Sequence, residues 1–201
     1  MQSGGAASAT LQFEPARPLV LNRATRMEEE TPMAHIGKHV KMNEPAFVHE
    51  TAYIYGKVTL HKDVSVWPYV VMRAEMHEIV IGEKTNIQDF VMVHVGNTTP
   101  TIVGKNCSIT HHVTIHGCTI GDNCLIGINA TIMDGAIIGN NCIVAGHSIV
   151  TEGAVFPDNS IIAGAPAKVI RTRDSGAANA GNAEWYFQNA LRYAKGEDVQ
   201  T

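Results

Sequence analysis

Aliphatic residues recur every sixth position through the middle of this chain. Val48, Ile54, Leu60, Val66 and Met72 open the series, and Ile81, Ile87 and Val93 resume it after an irregular stretch. Val103, Ile109 and Ile115 follow, then Ile120, Ile126, Ile132, Ile138, Val144, Val150, Phe156 and Ile162. Four residues after most anchors stands a small or β-branched residue: Thr85, Val91, Cys107, Val113, Cys124, Ala130, Ala136, Cys142, Ser148, Ala154. Glycine often follows the anchor directly, as at Gly82, Gly104, Gly121, Gly127 and Gly139.

A period of six suits neither an amphipathic helix nor a meander of hairpins. It is the signature of a parallel β-helix in which each hexapeptide forms one side of a triangular coil. Three sides make an 18-residue coil, and coils stack at the parallel-strand spacing of about 4.8 Å. The series predicts an all-β parallel β-helix of about six coils over 34–170. Composition agrees, since Ile (19) and Val (19) far outnumber Leu (6), a strand bias.

Beyond the repeat, Gly164-Ala165-Pro166-Ala167-Lys168 ends the last coil. Residues 171–182 read as a linker. Ala183, Phe187, Ala190, Leu191 and Ala194 then recur at helical spacing before Gly196, so a C-terminal helix is expected over 183–195, packed on the β-helix. Residues 1–33 read as a flexible extension. Within it, residues 1–26 carry Arg17, Arg23 and Arg26 against the single acid Glu14, which leaves organellar targeting as the alternative to a cytoplasmic chain.

A net charge of -4 with 17% charged residues argues against nucleic-acid binding. No apolar run approaches the roughly 20 residues of a membrane span. Four cysteines without a CxxC pair do not form a disulfide framework. Cys107, Cys124 and Cys142 occupy the small inward position and read as core, whereas Cys118 falls in a one-residue slip and has no assigned place.

Three of the ten histidines share the repeat frame. His94 follows anchor Val93 and His116 follows anchor Ile115, a separation of one coil plus the four residues inserted between 95 and 102. Arg73 follows Met72, one coil plus a three-residue insertion before His94. These three form one column. His111 lies two residues after Ile109, and Asp89 two after Ile87, so they form a second column, with Gln88 beside Asp89. His35, His39, His49, His61, His77 and His147 share no column and read as solvated corners or tail.

Three copies packed about a threefold axis would set one chain's first column against the next chain's second. Two imidazoles from one copy and one from its neighbour would then make a three-histidine set with a fourth tetrahedral position open to water. A Zn2+ so held lowers the pKa of bound water to about 7. Gln88 would hydrogen-bond the bound hydroxide with Asn86 orienting it, and Arg73 would meet Asp89 across the seam.

These residues resemble the gamma-class carbonic anhydrase family over about 45–195. The resemblance rests on Arg73-Ala74-Glu75, Thr85-Asn86-Ile87-Gln88-Asp89, His94, the His111 to His116 segment, Gly117-Cys118-Thr119-Ile120-Gly121-Asp122, the Gly164 to Lys168 ending and Asn182-Ala183-Glu184-Trp185-Tyr186. It implies a homotrimer of left-handed parallel β-helices, each with a C-terminal helix, with three interfacial metal sites and reversible hydration of carbon dioxide to bicarbonate. His94 and His116 would bind metal from one subunit and His111 from the next. Gln88 and Asn86 would serve the bound water, Tyr186 would reach the pocket, and Arg73 with Asp89 would form an intersubunit ion pair. Zn2+ is the expected metal, with Co2+ or Fe2+ suited to the same imidazoles.

The chain departs from the family where Arg-Gly-Asp is usual and Arg73-Ala74-Glu75 stands. Thr110 precedes His111 where glycine is common. The segment Val95 to Thr101 carries no carboxylate where the archetypal enzyme has an acidic proton-shuttling loop, and Met76 stands where a second acid could be. Two other functions share parts of the pattern: a metal-binding trimer with a structural or assembly role and little hydratase activity, and a hexapeptide acyltransferase. The acyltransferase shares the repeat and its ending but needs no matched histidine columns.

Overall fold

The computed structural model describes residues 35–197. The six-residue frame closes into a parallel β-helix of about seven turns, left-handed as in the hexapeptide folds it matches. In-register pairing links Ile36, Ile54, Met72, Val93, Ile115, Ile132 and Val150 along the first side. Met42, Leu60, Ile81, Val103, Ile120, Ile138 and Phe156 run along the second. Val48, Val66, Ile87, Ile109, Ile126, Val144 and Ile162 run along the third. The helix is thus one coil longer than the expected six. Ile36 and Met42 supply the missing anchors, and the polar residues around them (His35, Lys38, His39, Lys41) hide the period because this end coil is only half covered.

The anchors and the small residues four positions on fill the prism. Ile54, Met72, Ile87, Ile109, Ile115 and Ile126 are fully buried, as are Cys107, Cys124 and Cys142 in one inward column. Two of these thiols are held above their usual pKa, Cys124 by its contact with Cys107 and Cys142 by its contact with Cys124, with burial adding to both. Cys118, unplaced by the sequence, is buried as well. Corners require left-handed backbone, and asparagine tolerates it best after glycine. Asn106, Asn123, Asn141 and Asn159 take those corners, and their amides hydrogen-bond in a ladder from coil to coil at 3.1–3.2 Å. A neighbouring corner column instead stacks Tyr69, Phe90 and His112, with ring centroids 5.1 and 4.8 Å apart.

The last parallel strand, Ser160–Gly164, turns back and pairs antiparallel with Ala167–Thr172. Only 173–175 then separate this strand from the helix α1, Gly176–Tyr193. The expected linker over 171–182 and helix over 183–195 are corrected accordingly. The helix begins seven residues early because its first turns are built of Gly and Ala, which read as linker but let it press against the coils. A Cβ on Gly176 would meet Asn141 Oδ1 at 2.5 Å. The buried face of α1 is Gly176, Asn179, Ala183 and Ala190, while Leu191 and Ala194 face outward. Gly196 has φ +73 just past the end, as a C-terminal glycine should.

The helix lies along the third side of the prism. Lys84 and Glu184 bridge it at 2.8 Å, and Trp67 packs edge-on between Tyr186 and Tyr193. Among the described residues no helix is long and apolar enough to cross a membrane. The expected extension, residues 1–33, lies outside the described residues.

Candidate metal centre

Two insertions shape the site. The strand Val71–Ile81 runs past the corner between the first and second sides, and its pairing partner skips from Ala74 to Glu78. Glu75, Met76 and His77 therefore leave the ladder. One coil on, the segment after His94 loops out before Thr101, and His77 Nε2 meets the Asn97 carbonyl at 3.1 Å. Below the loop, the Thr101 hydroxyl donates to the His94 carbonyl at 2.5 Å and accepts the Gly117 N–H at 2.9 Å, joining the two histidine strands.

The predicted first column forms as spaced. Arg73 is in register with His94, and His94 with His116. The two imidazoles lie 4.9 Å apart by centroid, with His94 Nδ1 3.0 Å from His116 Nε2. Each outer nitrogen meets a carboxylate: His94 Nε2 lies 3.0 Å from Glu75 Oε2, and His116 Nδ1 2.6 Å from Asp134 Oδ1. Glu75 also pairs with Arg73. Slight burial pushes the Glu75 carboxyl up, but its own backbone N–H, the His94 ring and Arg73 together hold it below the usual carboxylate range.

That arrangement carries a chemical requirement. An ionised carboxylate only accepts, so both outer nitrogens donate, and a neutral imidazole has a single N–H. The facing nitrogens would then be two bare lone pairs 3.0 Å apart. A cation between them resolves the repulsion. Two nitrogens each 2.0–2.1 Å from a tetrahedral ion stand about 3.3 Å apart, so the pair needs to open only slightly to hold zinc. The carboxylate behind each ring is the usual support of a metal-binding histidine. The donor set fits a metal.

The second column stands at the corner where the third side meets the first. His111 Nδ1 lies 3.1 Å from Asp89 Oδ2, one coil apart as the spacing requires. Gln88 is buried, and its amide donates to Asn86 Oδ1 at 2.9 Å. Asn86 Nδ2 in turn donates to Ser108 Oγ at 2.9 Å and to the Cys107 carbonyl. Ser108 Oγ donates to Asn182 of α1 at 2.7 Å, so the helix anchors the far end of the chain of bonds that begins at Gln88. Burial, then the charge of Asp89, raises the Tyr186 hydroxyl above its ordinary pKa, which places Tyr186 beside this column.

No three His, Cys, Asp or Glu side chains among the described residues of one chain gather as a ligand set. His94 and His116 meet; His111 stays with Asp89 at the far edge of the first side. Arg73 and Asp89 also remain apart within the chain, each held by its own partner, Glu75 and His111. Asp134 is the one contributor that sequence reasoning missed. It lies 18 residues after His116, the nominal coil length, although the one-residue slip makes the coil here 17 residues long, with Ile115 paired to Ile132.

The repeat and the stacked triangular coils define a hexapeptide-repeat protein, and the chain belongs to that family. Residues 117–152 match the bacterial transferase hexapeptide (six repeats) model. A solved hexapeptide transferase family protein from Anaplasma phagocytophilum is 30% identical, with a TM-score of 0.68, covering 78% of this chain and 92% of that one. Among curated relatives, mitochondrial gamma carbonic anhydrase 2 of Arabidopsis thaliana is 35% identical over 127 residues, 58% of this chain and 46% of that protein. A probable carbonic anhydrase of Methanocaldococcus jannaschii is 48% identical over 81 residues, 40% of this chain and 51% of that protein. The chain spans about half the length of these curated relatives.

Proposed function

We propose that this protein is a metal-dependent carbonic anhydrase that interconverts carbon dioxide and bicarbonate at the subunit interfaces of a homotrimer. The facing nitrogens of His94 and His116, each backed by a carboxylate, carry this reading, because a metal ion held between them would satisfy both lone pairs while the carboxylates hold the outer N–H groups. Curated gamma carbonic anhydrases among the relatives support it.

His94 and His116 would hold the metal from one subunit and His111 from the next. When bound, the metal supplies the Lewis acidity that makes hydroxide available near neutral pH. Gln88, fixed by Asn86 and through Ser108 by α1, would orient the attacking oxygen with its carbonyl end. Tyr186, raised above its ordinary pKa, would stay protonated and be able to donate a hydrogen bond there. Arg73 and Asp89 would pair across the seam, and the longer Glu75 already steadies both Arg73 and His94.

The test is metal analysis of protein purified anaerobically without chelator, sedimentation, and stopped-flow hydration of carbon dioxide by wild type and His111→Ala. About one zinc, cobalt or ferrous ion per chain, a trimer, and hydration lost in the variant support the reading. Equal rates would dismiss the catalytic role and leave a metal-bound trimer serving assembly. A metal-free protein that turns over an acyl-CoA would favour the acyltransferase reading, which the hexapeptide transferase relative keeps in view.

A further inference from the structure

We infer that Asp134 is a positioning residue that locks His116 as the Nδ1–H tautomer and so aims its Nε2 at the cation between the two rings. This deepens the metal-site reading above and rests on it for the role of that cation. Asp134 Oδ1 lies 2.6 Å from His116 Nδ1, the shortest of the three imidazole–carboxylate contacts, against 3.0 Å for Glu75 on His94 and 3.1 Å for Asp89 on His111. At that distance a charge-assisted hydrogen bond is strong, and only an N–H can meet an ionised carboxylate.

The backbone is cleared for this contact. Gly117, next to His116, has φ +55, and a Cβ there would lie far inside contact distance of Asp134 Oδ1. Gly96, on the loop one coil earlier, would collide with the same oxygen at 2.6 Å. Two glycines from separate coils thus leave space for one carboxylate oxygen. The Gly135 N–H donates to the Gly117 carbonyl at 2.7 Å, which fixes the Asp134 backbone beside the His116 strand.

Glu75 differs in kind. It sits on the looped-out insertion, is half exposed, and divides its carboxylate between Arg73 and His94. Asp134 meets His116 alone, so the geometry of that ring depends on it most.

The test uses the full chain in three forms: wild type, Asp134→Asn and Asp134→Ala. Long-range nitrogen–proton correlation spectra of 15N-histidine-labelled, metal-free protein read the His116 tautomer directly. Wild type is expected as Nδ1–H. Asp134→Asn keeps an accepting oxygen and is expected to retain that tautomer, whereas Asp134→Ala shifts toward Nε2–H. Co2+ titration followed by its visible spectrum should show affinity about 10–100-fold weaker in Asp134→Ala and a smaller loss in Asp134→Asn. Unchanged tautomer and unchanged Co2+ affinity in Asp134→Ala would overturn the inference. So would equal losses in the two variants, which would mark a merely structural role. The tautomer is read without metal or carbon dioxide, so a wild-type protein inactive in hydration would sink the proposed function and leave this inference standing.

Discussion

His111 Nδ1 and Asp89 Oδ2 stand 3.1 Å apart at a corner of the prism, one coil from each other and apart from the His94–His116 pair. The carboxylate fixes Nδ1 as donor and leaves Nε2 bare. His111→Ala should therefore unfold within about 0.5 kcal/mol of wild type, as surface changes do. It should nonetheless lose most of its bound metal. Chemical denaturation and metal analysis on the same preparation check the two halves together.

Ile115 anchors the strand that carries His116, is fully buried, and pairs in register with Val93 and Ile132. Truncation to alanine leaves a cavity that stacked coils cannot close by shifting. Ile115→Ala should cost about 2–5 kcal/mol in urea denaturation.

Asn179 ties α1 to the coils. Its buried amide donates to the Asn123 carbonyl at 2.9 Å and the Cys142 carbonyl at 3.1 Å. Asn179→Leu strands both acceptors and should cost about 1–3 kcal/mol. Amide exchange should rise first along α1, since the coils keep their own ladder.

Lys84 and Glu184 hold the middle of the helix, and their titration sets the direction of its pH response. Contact with Lys84, then with Gln188, outweighs slight burial and holds the Glu184 carboxyl below its ordinary value of 4.5. Its contribution is complete above that value and fades as pH falls through the lowered one. Lys84 is raised above 10.5 by Glu184 despite slight burial, so its contribution is complete below 10.5 and is lost only as pH climbs past the raised value. The bridge therefore weakens on the acid side below about pH 4.5 and on the alkaline side only above 10.5. With the side chains 28% and 47% exposed, the effect is about 0.2–1 kcal/mol. Glu184→Gln should flatten the acid limb of α1 amide exchange and leave neutral stability slightly lower; an acid limb as steep as wild type would refute the assignment.

The prism and the first histidine column were legible because a strict period converts sequence intervals into stacking. His94 and His116 pair where one coil plus four residues placed them, and Asp89 meets His111 where the same arithmetic did. Three things escaped it. Asp134 stands 18 residues from His116, yet the one-residue slip at Cys118 moves it off the anchor count, so no column caught it. The early start of α1 hid in Gly176 to Gly181, whose small side chains carry no amphipathic signal although Gly176 and Asn179 bury there. Glu75 differs from the expected acid by one methylene, and only the looped-out strand shows that it reaches His94.

The antiparallel return of Ala167–Thr172 along Ser160–Gly164 has a consequence for assembly. A stack of parallel coils ends in a row of unpaired backbone groups, an open template on which another molecule could continue the pile into a fibre. Reversing the chain covers that edge on the third side with a strand of opposite direction, followed at once by a helix. A further parallel coil therefore cannot continue the pile in register there.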